Sequence, residues 1–306
     1  MTERLKAHTS LFIATLLFGG NYWVSKILVD ILNPNQLVFL RTVGAVLLFA
    51  IVYFLAARPK LNKRELLRLL IAGIFGVAIN QILFFNGLQY TSPVDTAIIH
   101  VSNPIIVLVL SLIFLHTKLS RWKIAGIFVG AIGASILVLY QKELVFNPES
   151  IKGNLMILGN TTAYAIFLVI MKPILKKHDT ITTMFWVYLF ATLMIVPYTF
   201  TDVQAIQWQQ LWGWPTVAIF YIIAMVTFGA YFLIIYALGR LSAPVVSFYI
   251  YLQPLIAVII ATIIGVESLN WVNGIAAALI FYGVYLVNRP SSSAESTKKN
   301  PTIQSK

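Results

Sequence analysis

The feature that most constrains this fold is a series of long apolar segments. A transmembrane helix needs about 20 mainly apolar residues, and ten segments of this kind fill most of the chain. They are 10–29, 35–57, 67–89, 93–115, 122–141, 154–174, 181–200, 215–238, 243–265 and 271–288. Because backbone groups in lipid must be hydrogen-bonded internally, and because these runs do not alternate in polarity, they indicate helices. We therefore expect an all-α integral membrane protein with ten transmembrane helices.

The composition points the same way. The chain is 59% apolar and only 10% charged, whereas a soluble domain has about 45–50% apolar and about 25% charged residues. The net charge of +12 would suggest a nucleic-acid partner in a soluble protein. Here the basic residues lie in short loops, so membrane topology explains them and no nucleic acid is expected. The chain has no cysteine, which excludes disulfides and thiolate chemistry.

The basic loop residues set the predicted orientation. Eighteen of the 22 Lys and Arg residues fall on one side of the predicted bundle, and two fall on the other. Cytoplasmic loops carry the excess of Lys and Arg, so both termini are predicted to be cytoplasmic. The apolar run after Arg4 and Lys6 is interpreted as the first span and not as a removable signal.

The sequence contains an internal repeat. Shifts of 150 and 146 residues align spans of the first half with spans of the second. The aligned pairs include Asn103 with Gln253, Pro104 with Pro254, Thr15 with Thr161 and Lys26 with Lys172. We predict one five-helix repeat at 1–145, a second at 146–290 and a disordered tail at 291–306. Because five is odd, the second repeat enters the membrane from the opposite side, as in many secondary transporters.

The order of several short motifs resembles that of the drug/metabolite transporter superfamily, in particular its EamA-type ten-helix members. These motifs are "FLR" at Phe39–Arg41, "GLQYTS" and "ALGRLS" closing the third and eighth spans, the two X-Pro centres, and "GVESL" at Gly265–Leu269. The family often has a Glu after the fourth span as well, but this chain has "LHTKL" there. The resemblance implies export or uptake of small metabolites, often amino acids, across a bacterial inner membrane by a multi-pass protein. It implies neither an enzyme nor a cofactor.

Polar residues inside the spans are the candidates for substrate binding, because such groups are costly in lipid and often functional. His100 and Asn103 share one helical face with Thr96. Of the adjacent amides Asn80 and Gln81, we expect at most one to face a central cavity, and we favour Asn80. The full candidate set is His100, Asn103, Asn80, Tyr249, Gln253, Asn21, Trp23, Tyr164 and Tyr231. The alternative for each is helix packing or anchoring at the membrane interface.

Three further features have a structural as well as a functional interpretation. Pro104 and Pro254 are expected to kink their helices, either to shape a cavity or only for packing. An outer gate is predicted from Lys26, Arg41, Asp95 and Glu267, with snorkelling toward lipid headgroups as the alternative. The small residues Gly126, Gly130 and Ala134 predict a close helix contact or a dimer seam, so the protein is expected to be a monomer or a homodimer.

These observations favour a secondary transporter that moves small organic metabolites, amino acids or related compounds, outward by alternating access. An uptake permease or a nucleotide-sugar-type exchanger is the runner-up; a membrane enzyme and a channel are the less favoured classes. No carboxylate lies near the predicted midplane, which favours facilitated diffusion or exchange. Proton coupling would have to use His100. The four His residues show no metal-ligand spacing, and no metal site is predicted.

Overall fold

A computed structural model describes residues 2–29, 31–55, 61–91, 93–117, 120–140, 150–263, 265 and 270–289. Within these ranges the side chains of residues 22, 23, 25–27, 29, 93–95 and 261 are not described. The predicted disordered tail at 291–306 lies outside the described residues.

The described chain is a succession of long helices, which we number α1 to α10. They are α1 (Glu3–Val29), α2 (Pro34–Phe54), α3 (Lys63–Gly87), α4 (Pro93–Val101 continued by Asn103–Phe114), α5 (Arg121–Tyr140), α6 (Ser150–Ile174), α7 (Thr180–Gln204), α8 (Trp214–Arg240), α9 (Ala243–Phe248, Tyr249–Tyr251 and Leu252–Ile263) and α10 (Trp271–Asn288). A short 3-10 helix, Trp208–Leu211, joins α7 to α8.

The helices have the length and surface of membrane spans. Among the described residues, nine helices, α2 to α10, are long and apolar enough to cross a membrane, and no strand occurs. Large apolar side chains such as Phe54, Phe114 and Ile263 are 74%, 68% and 79% exposed, as expected for a surface solvated by lipid. The all-α multi-pass prediction is confirmed. That α1, with 27 residues, forms a tenth span remains a prediction.

Four helices have irregular backbone in their interior. Helix α3 contains a π-helical segment at Ile74–Ile79, and α8 contains one at Tyr221–Ala230. Helix α4 is interrupted at Ser102, and α9 passes through a 3-10 turn at Tyr249–Tyr251. Pro104 and Pro254 lie just after the irregular segments of α4 and α9. Such segments free backbone groups and often occur at functional sites.

The helices pack in a regular pattern. Helix α3 contacts α6 and α7, while α8 contacts α1 and α2. Helix α4 contacts α6, and α9 contacts α1. The pairs α2 with α7, α4 with α9 and α5 with α10 are also in contact. When each helix is replaced by the one five places away, the contacts of α3 become those of α8, and the contact of α4 with α6 becomes that of α9 with α1. The last three pairs each map onto themselves.

The small-residue stripe of α5 is a packing surface within the chain. A Cβ atom on Gly126 would lie 2.8 Å from the carbonyl oxygen of Gly283 in α10, and one on Gly130 would lie 2.6 Å from the Phe248 ring of α9. Ala134 is fully buried. The stripe therefore brings α5 and α10 close together, as expected for small residues between membrane helices.

A Gly283→Ala substitution tests this contact. The added methyl group would meet the Gly126 carbonyl oxygen at 2.8 Å, and backbone atoms cannot rotate away. We expect the free energy of unfolding to fall by about 1–3 kcal/mol, measured by thermal unfolding in detergent. Gly274→Ala on the same helix is the control, because nothing lies within 4 Å of its added methyl group. Equal stability of the two variants would show that the contact is not tight.

One end of the bundle, which we call the Asp202 end, holds the start of α2 and the end of α7. The Asp202 carboxylate accepts hydrogen bonds from the side-chain amides of Asn33 at 3.1 Å and Asn35 at 2.9 Å. The Asp202 carbonyl oxygen accepts another from Gln36 Nε2 at 2.9 Å. Asn33 and Gln36 also form a capping box at the start of α2. A negative charge beside a helix N-terminus is favourable, so Asp202 stabilises the junction of α2 and α7.

The opposite end, which we call the Glu3 end, holds the start of α1 and the end of α8. Glu3 accepts hydrogen bonds from Lys6 Nζ at 2.7 Å and Arg240 Nε at 2.9 Å, and these bonds lower the pKa of the Glu3 carboxyl to about 2. The ammonium group of Lys172 donates to the carbonyl oxygens of Leu238 at 2.6 Å and Leu241 at 2.8 Å. Both contacts join α8 to a neighbouring helix.

Candidate functional site

A cavity of about 700 Å³ lies between α1, α2, α3, α4, α6, α8 and α9. Its wall reaches the protein surface at Pro34 and at the exposed Gln89, both at the Asp202 end. Toward the Glu3 end the wall consists of buried side chains, among them Leu11 and Tyr249. Sites for small organic ligands have volumes of about 300–1,000 Å³, so the cavity can hold a metabolite.

Tyr249 lies on the side of the cavity that faces the Glu3 end. Its hydroxyl oxygen lies 2.9 Å from Nδ1 of His8 on α1, and the Tyr249 residue is only 9% exposed. This hydrogen bond joins α9 to α1 between the cavity and the Glu3 end. Of the described wall residues only Gln89, at the Asp202 end, is exposed, and those toward the Glu3 end are buried or half-buried.

The candidate residues from different spans come together in this cavity. The wall includes all the predicted substrate residues whose side chains are described, namely Asn21, Asn80, His100, Asn103, Tyr164, Tyr231, Tyr249 and Gln253. The side chain of Trp23 is not described. Pro104 and Pro254 are not part of the wall. The shared location is consistent with substrate binding, which remains a prediction for each residue.

A hydrogen-bonded network of three polar residues forms one side of the cavity. His100 Nε2 lies 3.0 Å from Oδ1 of Asn160 on α6. The Asn160 amide donates to the Asn80 carbonyl oxygen at 2.7 Å, and the Asn80 amide donates to the Asn160 carbonyl oxygen at 3.2 Å. The ring of Phe84 stacks on His100 with 5.7 Å between centroids. The network fixes the orientation of His100 and connects α3, α4 and α6.

Several buried polar atoms of the wall have no hydrogen-bond partner among the described residues. Asn103 donates to the Thr161 carbonyl oxygen at 2.9 Å, but its own Oδ1 is unpaired. The Thr161 hydroxyl and both polar atoms of Gln81 are also unpaired. Buried polar groups are nearly always hydrogen-bonded. These atoms are covered by neighbouring side chains, so they mark a polar layer just behind the cavity surface.

Asn80 and Gln81 both belong to the wall, although the two polar atoms of the Gln81 amide are buried within it. On α3 the wall comprises Asn80, Gln81, Phe84, Phe85 and Leu88. These positions cover an arc of about 140° on the helix surface. The cavity is wide enough to contact two adjacent residues, which the helical spacing alone did not indicate.

Arg41 is the most unusual residue of the wall. It is 5% exposed, and its Nε donates to the Thr227 hydroxyl of the α8 π-helical segment at 3.1 Å. Its guanidinium carbon lies 5.2 Å from the centroid of the Phe85 ring. Within the described part of the chain, no carboxylate forms an ion pair with Arg41. Arg41 was predicted to be part of an outer gate; it lies on the cavity wall, and its role as a gate stays a prediction.

The other predicted gate residues cannot be placed. The side chains of Lys26 and Asp95 are not described, and Glu267 lies outside the described residues. The gate therefore remains a prediction. No cluster of three or more His, Asp or Glu side chains suited to a metal ion occurs among the described residues.

Sequence analysis did not identify Asn160 or Thr161 as site residues. The repeat offered a signal for one of them, because Thr161 aligns with Thr15 and both line the cavity. Asn160 had no such partner. Asn160 joins the network because α6 packs against α3 and α4. The sequence of one span does not show which helices are its neighbours.

The chain was then compared with known proteins. The model of the EamA-like transporter family matches residues 5–139 and again residues 151–289. The chain belongs to the EamA-like transporter family. It is therefore a membrane transporter of the drug/metabolite type.

Its relatives cover nearly the whole chain. It is 23% identical over 292 residues to the uncharacterized transporter YetK of Bacillus subtilis (strain 168), which covers 93% of this chain and 87% of the relative. It is 24% identical over 327 residues to the protein WALLS ARE THIN 1 of Arabidopsis thaliana, covering 93% and 83%. A solved crystal structure matches with a TM-score of 0.78 at 16% identity, covering 92% of this chain and 96% of that one. This last similarity concerns the fold alone.

Proposed function

We propose that this transporter moves small organic metabolites, amino acids or related compounds, outward across a bacterial cytoplasmic membrane by alternating access of two inverted five-helix repeats. The main support is the central cavity, which takes its wall from both halves of the chain and has its exposed wall residue, Gln89, at the Asp202 end. A site between two repeats, exposed to one side at a time, is what alternating access requires.

Two observations support the repeat. The irregular segments of α3 and α8, and those of α4 and α9, are about 150 residues apart, close to the shift that aligns the halves. The helix contacts also have counterparts when the helix numbers are shifted by five. Two similar halves can exchange conformations, so that a cavity now open at the Asp202 end would become open at the Glu3 end.

The orientation is proposed from the basic loops. The Glu3 end carries Arg4, Lys6, Lys176 and Arg240, and such an excess is typical of the cytoplasmic side. With this orientation the described state faces outward. The described wall contains no carboxylate that could relay protons, which supports facilitated diffusion or exchange.

Transport in liposomes tests the proposal. The purified protein should show saturable uptake of a radiolabelled amino acid that accelerates when unlabelled amino acid is present inside, because a carrier exchanges its substrate. Asn103→Leu should reduce this counterflow about tenfold or more, since a hydrogen-bonding group is lost from the wall. Gly274→Ala, remote from the cavity, should leave it unchanged. Flux that rises linearly without saturation would indicate a channel instead.

A further inference from the structure

We propose that the substrate of this transporter carries a carboxylate that binds the guanidinium group of Arg41, and that an ammonium group on the substrate is not required. This inference rests on the proposed transport function and specifies the chemical class of its substrate. It predicts organic monoanions with an apolar or aromatic body.

The first argument is the free hydrogen-bonding capacity of Arg41. A guanidinium group has five N–H donors, and only Nε of Arg41 donates to a described residue, the Thr227 hydroxyl at 3.1 Å. The Phe85 ring, 5.2 Å away, covers part of one guanidinium face. The two terminal nitrogens, with the geometry that matches a carboxylate, make no hydrogen bond to any residue that the structure describes.

The second argument is electrostatic. Arg41 lies seven residues inside α2, about 10 Å from the start of the helix, and a buried charge is costly unless it is paired. No Asp or Glu occurs on the described wall of the cavity. A charged residue inside a membrane protein usually marks a substrate pathway or has a partner. An anionic substrate would supply the missing partner.

The third argument concerns the type of anion. Among the described wall residues, Arg41 provides the one permanent positive charge. This charge neutralises a monoanion, whereas a phosphate monoester would leave excess negative charge in the cavity. Arginine binds carboxylates through two parallel hydrogen bonds.

The rest of the wall selects the body of the substrate. Phe18, Phe84, Phe85, Tyr164 and Tyr231 provide aromatic surface, which favours flat apolar groups. The usual partner of an ammonium group is a carboxylate, and the described wall offers none. Removing the ammonium group from the substrate should therefore not weaken binding.

Four probes that share a phenyl ring test this inference: 3-phenylpropionate, L-phenylalanine, 3-phenylpropanamide and L-phenylalaninamide. Binding is measured as the rise in thermal stability of the purified protein, because a ligand that binds the folded state stabilises it. We expect the two carboxylates to bind about tenfold or more tightly than the matching amides. 3-Phenylpropionate should bind at least as tightly as L-phenylalanine.

Three variants locate the effect. Arg41→Gln should abolish the preference for carboxylates over amides, and Arg41→Lys should retain part of it because the charge remains. Thr199→Val is the matched control: Thr199 lies on α7, outside the cavity wall, and its hydroxyl donates to the Ile195 carbonyl oxygen of its own helix at 2.8 Å. This variant should keep the full preference. Arg41→Lys also provides a second test if Arg41→Gln does not fold.

The inference is overturned if 3-phenylpropionate fails to bind, if the amides bind as well as the carboxylates, or if Arg41→Gln keeps the preference. None of these results affects the liposome counterflow assay, which tests transport itself. Counterflow with no preference for carboxylates would refute only the role of Arg41. Carboxylate binding without counterflow would refute only the transport mechanism.

Discussion

Replacing Asn160 with leucine is expected to abolish transport and to reduce stability markedly. Asn160 is 5% exposed and is hydrogen-bonded to both His100 and the Asn80 carbonyl oxygen. Leucine has a similar size but cannot form these bonds, so two polar groups would lose their partners. Each unpaired buried group costs about 1–3 kcal/mol. We therefore expect the free energy of unfolding to fall by about 2–4 kcal/mol.

Thermal unfolding and liposome counterflow measure the two effects of Asn160→Leu. Leu158→Ala, on the same helix but 43% exposed toward the surface, serves as the control and should retain transport. His100 would also lose its fixed orientation, so binding should weaken even for molecules that remain folded. An Asn160→Leu protein with normal stability and normal flux would show that the network contributes neither to folding nor to the site.

Replacing Lys172 with methionine is expected to destabilise the junction between α6 and α8. The Lys172 ammonium group donates to the carbonyl oxygens of Leu238, Gly239 and Leu241 at 2.6, 3.3 and 2.8 Å. The last carbonyl groups of a helix have no partner within that helix, and here Lys172 supplies one. Hydrogen bonds to charged groups contribute about 1.5–3 kcal/mol, so a loss of about 2–4 kcal/mol is expected.

Lys176→Met is the matched control for Lys172→Met. Lys176 is exposed and four residues farther along the chain, and its substitution removes the same charge. It should change the free energy of unfolding by less than about 0.5 kcal/mol. If both variants lose the same stability, the loss of a positive charge explains the effect. The hydrogen bonds of Lys172 to the carbonyl groups at the end of α8 would then contribute nothing.

The general architecture could be predicted from the sequence because lipid imposes strong constraints. Long apolar runs mark helices whatever their partners are. The spacing of Asn62 and Glu65 is typical of a capping box, and the two residues form one at the start of α3. The end of α7 was less predictable. It extends to Gln204, past the apolar run ending at residue 200, because Asp202 is held by the first turn of α2.

The site could be predicted only in part. His100 and Asn103 stood out because polar groups are rare in apolar spans, and both line the cavity. The position of Arg41 along α2 predicted a place in the outer third of the bundle, but the sequence does not show that Thr227 and Phe85 would contact it. Whether Asn160 and Gln81 belong to the wall depends on which helix faces contact one another. Single-span patterns do not contain this information, whereas the repeat supplied part of it through Thr15 and Thr161.

The most direct test of the account is the accessibility of the cavity from each side of the membrane. Because the chain has no cysteine, one cysteine placed at Thr15, which is 3% exposed and lines the cavity, can be labelled selectively. A cysteine at Trp212, 81% exposed at the Asp202 end, serves as the one-sided control. In sealed vesicles, a membrane-impermeant maleimide should label Thr15→Cys from either face and Trp212→Cys from one face only. Labelling of Thr15→Cys from a single face would contradict alternating access.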